Sequence, residues 1–319
     1  MAIPIELNKW VKEICAGNVR ALARAITLVE SRAPEAHELL RALFRHSGRA
    51  RILGLTGAPG AGKSTLVDAL AREFRRAGKT AGIIAVDPSS PYSGGAILGD
   101  RIRMQSHHAD PGIFIRSMAT RGSLGGLASA TADVATVLDA SGRDLVMIET
   151  VGVGQDEVDI VELADVTVVV LVPGMGDDVQ SLKAGIMEIA DIFVINKADR
   201  EGADRVEKEV RAMQSLSPRL DHWTPPVVKT IASEGAGIGE LAEAITQYEE
   251  YLQSSGLDVR HRVEHWRSRL EEMLREEVLQ QVVRTRLDAA TAERYAAEIA
   301  EHKRDPYTLV DEIIASLAR

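Results

Sequence analysis

The sequence predicts an α/β fold, a three-layer α/β/α arrangement with a mostly parallel central sheet. Short apolar runs rich in Val and Ile recur from Arg51 onward, and most are continuous rather than alternating. Continuous runs are typical of strands that are covered on both faces. Helical stretches such as 64–76 lie between the runs, and strand and helix in alternation indicate a parallel sheet. The runs occupy residues 51–55, 80–86, 112–117, 144–149, 166–172, 191–196 and 225–231.

Helical segments flank this predicted sheet. Apolar residues recur at helical spacing from Asn18 to about His46, and the chain is helical again after Gly239. The last segment carries an apolar stripe among charged residues: Val263, Trp266, Leu270, Leu274, Val278 and Val282. Such a stripe needs a partner surface, which is either the chain's own globular part or a second copy. We therefore predict an N-terminal helical extension (1–48), a central domain (49–248) and a C-terminal helical arm (249–319).

Composition excludes several classes of protein. The chain has 319 residues, of which 45% are hydrophobic, and a formal net charge of -9. This charge makes an extended basic surface for nucleic acid unexpected, so we predict no nucleic-acid partner, although it is compatible with a small local basic patch. Cys15 is the only cysteine, which excludes an internal disulfide and fits a reducing compartment. The longest apolar run, 166–173, is too short to cross a bilayer, so we predict a cytoplasmic protein without membrane contact.

A phosphate-binding motif follows the first predicted strand. Residues 57–64 read "GAPGAGKS", which fits G-x-x-x-x-G-K-[ST] between a strand and a helix. The glycines let the backbone curl so that its N–H groups and the helix N-terminus face an anion. Lys63 would reach the β- and γ-phosphates, and the Ser64 hydroxyl would bind Mg²⁺. The predicted phosphate-binding residues are Gly57, Ala58, Pro59, Gly60, Ala61, Gly62, Lys63, Ser64 and Thr65. This P-loop motif does not distinguish ATP from GTP, so both nucleotides stay candidates at this point.

A second motif favours GTP. Residues 196–199, "NKAD", directly follow an apolar run. The Asp199 carboxylate would accept the N1 and N2 hydrogens of guanine, which adenine lacks, while Asn196 would bond the O6/N7 side and the Lys197 stem would lie against the base. The position of Ala232 resembles the last G-protein motif, where an N–H meets the guanine oxygen. That motif normally has Ser before the Ala, and Ile231 stands there instead.

Carboxylates at strand ends complete the predicted site. Asp87 and Glu149 each end a predicted strand, so both would emerge at the edge where the P-loop sits. Mg²⁺ prefers oxygen ligands, and these two could bind it directly or through water. Asp100, on a loop rich in Ser and Gly, is a third candidate ligand. For each carboxylate the alternative is a solvated side chain or a helix cap. Gly152 would offer an N–H to the γ-phosphate, which predicts a switch segment at 149–158.

Four stretches carry a resemblance to a known family. They read "GLTGAPGAGKSTL", "VDPSSPYSGGAILGDRIRM", "IETVGVGQDEVD" and "LVPGMGDDVQSLKAGIMEIADIFVINKAD". Together they resemble the MeaB/ArgK family of P-loop GTPases over nearly the whole chain. The resemblance implies a P-loop NTPase domain of the signal-recognition and metallochaperone (SIMIBI) branch and a homodimer formed through the C-terminal helical arm. It further implies a partner, a B12-dependent acyl-CoA mutase, usually methylmalonyl-CoA mutase. GTP would then gate the delivery of adenosylcobalamin, with no cobalamin bound by this chain itself.

The predicted reaction is hydrolysis of GTP to GDP and phosphate, slow alone and stimulated by a partner. Ras-like switches place a catalytic Gln directly after the sensing Gly, whereas this chain has Val153 there and Gln155 two residues later. Gln155 is therefore predicted to be structural or switch-associated rather than catalytic. Lys183 lies in a segment that the resemblance marks as an additional switch loop, and it could act on the phosphates as Arg fingers do. A solvated Lys is the alternative.

Two other functions stay open. One is a nucleotide-dependent kinase linked to basic amino acid transport. A kinase would need a substrate pocket and a catalytic base beside the γ-phosphate, and no motif in the sequence indicates either. The other is a nickel-inserting GTPase, which His107 and His108 would suggest. Adjacent residues on a helix or strand point apart, and no Cys or third His lies nearby, so surface histidines are the expected interpretation.

Overall fold

The computed structural model describes residues 5–87, 110–119, 126–150, 163–174, 189–216, 219 and 221–317. The chain forms two compact units, Met1–Asp258 and Val259–Arg319. The domain boundaries predicted after residues 48 and 248 stay predictions.

A seven-stranded parallel sheet is the centre of the first unit. Its strands are β1 (Arg51–Gly57), β2 (Ala81–Asp87), β3 (Ile113–Ala119), β4 (Leu145–Glu149), β5 (Val166–Leu171), β6 (Ile192–Asn196) and β7 (Val227–Thr230). They are ordered β3-β2-β4-β1-β5-β6-β7, and every neighbouring pair is parallel. Each predicted apolar run forms one strand, which confirms the predicted α/β fold.

The strands are apolar throughout because both faces of the sheet are covered. In β4, Met147 belongs to the core on one face and Ile148 to the core on the other, and both are 0% exposed. Ile83 and Ile84 of β2 divide between the two cores in the same way. Period-2 alternation therefore sends apolar side chains to both sides, and no strand face needs polar residues.

Helices cover the sheet in the first unit. They are α1 (Ile5–Cys15), α2 (Val19–Glu30), α3 (Ala36–Leu43), α4 (Lys63–Arg76), α5 (Gly126–Ala140), α6 (Ala203–Leu216) and α7 (Ile238–Ser255). Helix α1 lies within the predicted N-terminal extension (1–48), but the helical periodicity was followed only from Asn18 and α1 was not predicted as a separate helix. That helix buries Val11 and Ile14 against α2 and α3, and its Leu7, Trp10, Val11 and Ile14 recur at helical spacing.

Helices α1–α3 are fixed to the sheet by two polar anchors as well as by apolar packing. The Asp139 carboxylate of α5 accepts from the backbone N–H groups of Gly48, Arg49 (3.1 Å) and Ala50 (2.9 Å), which holds the segment that leads into β1. Arg116 of β3 donates from Nε to Glu30 of α2 at 2.8 Å, an ion pair that raises the pKa of Arg116. The N-terminal helices are thus part of the compact unit that contains the sheet.

The second unit is helical. It contains most of α8 (Leu257–Arg286), together with α9 (Ala289–Ala300) and α10 (Pro306–Leu317). The predicted apolar stripe lies on α8 and is largely exposed, with Val263 at 62% and Leu270 at 57%. Among the residues that the structure describes, no helix is both long enough and apolar enough to span a membrane.

Candidate nucleotide-binding site

Glycines shape the loop between β1 and α4. Gly57 and Gly62 have φ angles of 138° and 90°, which favour glycine. A Cβ on Gly57 would lie 2.2 Å from the Val170 carbonyl oxygen, and one on Gly62 would lie 2.4 Å from Asn196 Nδ2. The loop therefore runs directly against its neighbours, β5 and the end of β6. The positive φ angles let successive loop N–H groups turn toward a phosphate, and the absence of a Cβ lets the loop fit against these neighbours.

Lys63 places a positive charge within this loop. Its side chain is only 5% exposed, and Nζ donates to the carbonyl oxygens of Gly57 (2.6 Å) and Ala58 (3.1 Å). Burial of an ammonium group is costly unless hydrogen bonds stabilise it, and here the loop carbonyls provide them. The Lys63 ammonium therefore lies beside the N-terminus of α4. Both the ammonium and the helix N-terminus favour a bound anion such as phosphate.

The predicted metal ligands Ser64 and Glu149 lie in contact. Ser64 Oγ donates to Glu149 Oε1 at 2.6 Å, and both residues are buried. The sheet brings them together because β1 and β4 are neighbours, with Leu55 opposite Glu149. A hydroxyl and a carboxylate are oxygen ligands of the kind that Mg²⁺ prefers, so this pair fits the metal. Asp87 ends β2, the other neighbour of β4, and its side chain lies outside what the structure describes.

Asn196 connects the P-loop to the loop after β7. Its side chain is buried at 2% exposure. The amide Nδ2 donates to the Ala61 carbonyl at 2.9 Å, while Oδ1 accepts from Thr230 Oγ1 and from the Ala232 N–H, both at 3.1 Å. If a guanine oxygen accepts from the Ala232 N–H, that N–H is shared between the guanine oxygen and Asn196 Oδ1. Thr230 was not predicted as a site residue, and only its position directly before Ile231 and Ala232 would have suggested it.

The next residues of this motif also reach the P-loop. Lys197 has a φ of 56° and donates from Nζ to the Gly60 carbonyl at 2.8 Å. Its side chain thus spans the gap between the end of β6 and the loop. Asp199 is exposed, so its carboxylate is accessible beside this bridge. The sequence-predicted phosphate and guanine motifs are therefore brought together at one edge of the sheet.

Opposite this edge, the beginning of β6 is held by a buried ion pair. Asp191 accepts from the Thr167 N–H at 2.8 Å and from Arg219 at 2.9 Å. Burial raises the pKa of Asp191, and the Arg219 guanidinium opposes that shift by favouring the carboxylate. This pairing fixes β6 relative to β5, and so fixes where Asn196 stands at the other end of the strand.

Several predicted residues lie outside the described residues. They are the candidate metal ligand Asp100, the γ-phosphate contact Gly152 and the candidate catalytic Lys183, together with Gln155, His107 and His108. Their predicted roles stay predictions.

Comparison with known proteins identifies the relatives of this chain. A family model described as "Methylmalonyl Co-A mutase-associated GTPase MeaB" matches residues 22–286. A Pyrococcus abyssi protein named as a GTPase is 48% identical over 318 residues, covering 98% of this chain and 97% of the relative. The mitochondrial methylmalonic aciduria type A homolog of Caenorhabditis elegans is 34% identical over 269 residues, covering 78% of this chain and 67% of the relative.

A solved structure supports the same relationship. It is described as an LAO/AO transport system kinase, is 28% identical and superposes with a TM-score of 0.72 over 100% of both chains. The similarity includes the parallel sheet and the helices at both ends, and it confirms the predicted P-loop NTPase fold.

Proposed function

The chain belongs to the MeaB family of GTPases, and from that premise we propose that it is a GTP-dependent switch that serves a B12-dependent acyl-CoA mutase. In this proposal it protects the mutase and gates its loading with adenosylcobalamin, without binding cobalamin itself. Methylmalonyl-CoA mutase is the proposed partner because the matching family model is described by that enzyme, and because the nematode relative is named for methylmalonic aciduria. The single cysteine supports a cytoplasmic location.

One observation carries the nucleotide assignment: the base motif and the phosphate loop form one hydrogen-bonded unit. Asn196 and Lys197 donate to consecutive loop carbonyls, those of Ala61 and Gly60. A base bound at Asp199 would therefore contact a motif whose neighbouring side chains hold the backbone of the loop that binds the phosphates. This coupling supports binding of a whole guanosine nucleotide rather than of a phosphate alone.

The same residues support slow hydrolysis. Phosphoryl transfer to water needs charge neutralisation and a positioned water more than covalent chemistry. Lys63 would stabilise charge that develops on the γ-phosphate, and Mg²⁺ held by Ser64 and Glu149 would neutralise the remainder. None of the described residues at the site is a glutamine or histidine placed to orient the water. A partner, or Lys183, would supply the missing acceleration.

The experiment is a measurement of GTP turnover with and without methylmalonyl-CoA mutase. We expect low turnover alone and a rise when the mutase is added. Lys183→Ala should keep its basal rate and lose stimulation, whereas Lys208→Ala, an exposed lysine on α6, should behave as wild type. Equal stimulation of all three proteins would remove the role of Lys183, and absence of stimulation in the wild type would contradict the proposed partner.

We further propose that two copies pair through the helical arm. The exposed apolar side chains of α8 support this, because a helix of a monomer rarely leaves so many uncovered. They recur every three or four residues along one helix, which suits packing against an equivalent helix.

Kinase activity is the second candidate, and one observation favours it: the solved relative is described as a transport system kinase. It predicts transfer of phosphate from ATP to a protein or amino acid, whereas a GTPase releases inorganic phosphate from GTP. Nickel insertion has weaker support. Within the described ranges, no three His, Cys, Asp or Glu side chains are grouped to hold a metal ion.

A further inference from the structure

The N-terminal helices differ in charge from the rest of the chain. Residues 1–50 contain eight Lys and Arg residues against five Asp and Glu residues, a net charge of +3, whereas the whole chain carries -9. One of the five acidic residues, Glu30, is paired with Arg116. The surface of these helices therefore carries a net positive charge, on a protein whose overall charge is negative.

A groove lies between α1 and α2 on this surface. It is open to solvent, has a volume of about 430 Å³, and is lined by Trp10, Ala23, Arg24, Thr27, Leu28 and Ser31. Trp10 Nε1 donates to the Ala21 carbonyl at 3.1 Å, which fixes the indole. The Arg24 guanidinium lies 4.9 Å from the centre of the indole ring, a cation–π contact. The groove thus combines an apolar floor with an oriented positive charge at its rim.

Two exposed arginines of α2, one that lines the groove and one a helical turn before it, are available to a ligand. Arg20 and Arg24 are exposed and one helical turn apart, and neither forms an ion pair with a carboxylate in the described part of the chain. A guanidinium that lies over an aromatic ring still has N–H groups along its outer edge that can bind a carboxylate with two parallel bonds. The exposed residues Arg20, Arg24, Thr27 and Ser31 form one stripe along α2, about 16 Å long at 1.5 Å per residue.

We propose that this groove, which we call the α1–α2 groove, docks an acidic amphipathic helix of the partner protein. About three turns of such a helix match the stripe. Its apolar face would cover Trp10 and Leu28, and carboxylates along one edge would pair with Arg20 and Arg24. The choice of occupant follows from charge complementarity, since a basic or neutral helix would leave the arginines unpaired. The identity of the partner as a mutase rests on the proposed function, whereas the chemistry of the groove does not.

Side-chain contacts connect the groove to β3, the outermost strand beside β2. Thr27 lines the groove, and its Oγ1 accepts from Arg116 at 3.5 Å, while Glu30 on the next turn accepts from Arg116 Nε at 2.8 Å. Arg116 lies on β3, opposite Ile84 of β2. Strand β2 ends at Asp87, a predicted Mg²⁺ ligand. A docked helix would therefore act on the strand that leads to this carboxylate, and docking should change the rate of GTP hydrolysis.

The test compares two charge reversals. Arg24→Glu places a negative charge at the groove, and Arg41→Glu makes the same change on an exposed arginine of α3 that does not line it. Calorimetry with the methylmalonyl-CoA mutase of the same organism should show Arg24→Glu weakening binding at least about tenfold, because like charges face each other at the contact. Arg41→Glu should bind as wild type, and both variants should keep the basal GTP turnover. Equal binding by all three proteins would overturn the proposal.

A second experiment, with a synthetic peptide in place of the mutase, tests the groove independently of the proposed function. The probe is a synthetic 14-residue helical peptide with Leu on one face and Glu along one edge, compared with the same peptide carrying Lys for Glu. The wild type should bind the Glu peptide more tightly than the Lys peptide, and Arg24→Glu should reverse this order. If the mutase fails to bind but the peptide result holds, the proposed partner is wrong and the groove stands. If the wild type does not prefer the Glu peptide, the groove proposal is overturned.

Discussion

Replacement of Asn196 by alanine tests the connection between the two motifs. The amide makes three hydrogen bonds, to the Ala61 carbonyl, Thr230 Oγ1 and the Ala232 N–H. Those partners are 0%, 1% and 7% exposed, so water cannot easily replace the lost bonds. Each buried group left without a partner costs about 1–3 kcal/mol. We expect the free energy of unfolding of the first unit to fall by about 3–5 kcal/mol.

The assay is urea unfolding followed by tryptophan fluorescence, since Trp10 and Trp223 both lie in the first unit. Asn18→Ala is the matched control. Asn18 caps α2 by accepting from the N–H groups of Arg20 and Ala21, and its loss should cost about 1 kcal/mol. Asn196→Ala should also weaken binding of a non-hydrolysable GTP analogue, which Asn18→Ala should leave unchanged. If Asn196→Ala is no more destabilising than Asn18→Ala, the three hydrogen bonds of Asn196 do not stabilise the first unit as the structure suggests.

Three further predictions concern the base, the pH and the arm. Asp199→Asn should lower GTP affinity at least about tenfold and raise affinity for xanthosine triphosphate, because an amide donates where the carboxylate accepted. Displacement of a fluorescent nucleotide measures this, and retained guanine preference would remove Asp199 from the base site. The pKa of Asp144 is lowered, mainly by a backbone hydrogen bond from Thr80. Its stabilisation is therefore present above the ordinary pKa of about 3.9 and lost as the pH falls through the lower folded value. Urea titrations should show wild type more stable than Asp144→Asn at about pH 7, with the difference in stability shrinking as the pH falls below the ordinary pKa; a difference that does not change with pH would contradict the assignment. Leu270→Glu should convert a dimer to monomers in sedimentation velocity, and an unchanged dimer would place the interface elsewhere.

The strands were predictable because burial on both faces makes their sequences continuous apolar runs. Even the ends of strands can be explained. The predicted run at 225–231 forms the shorter β7, Val227–Thr230, because Pro225 and Pro226 have no N–H to donate to a neighbouring strand. The P-loop and the "NKAD" motif were predictable for a different reason, since their backbone and base chemistry needs those residue types in that order.

Contacts between distant segments could not be predicted from the sequence. Asn196 meets Ala61 only because β5 alone separates β1 from β6, and no local pattern encodes that strand order. The Arg116–Glu30 pair likewise depends on α2 packing over the edge of the sheet. Helix α1 is different, because its apolar residues recur at helical spacing and the signal was present. Charged residues between them are what an amphipathic helix requires, and packing against α2 and α3 stabilises the helix.

We expect the P-loop and the guanine motif together to bind a guanosine triphosphate. Calorimetry with Mg²⁺ and non-hydrolysable analogues of GTP and ATP measures whether the site selects guanine. The structure predicts binding of the GTP analogue and at least about hundredfold weaker binding of the ATP analogue, since adenine leaves the Asp199 carboxylate without hydrogens to accept. Equal affinity for the two analogues would contradict the claim.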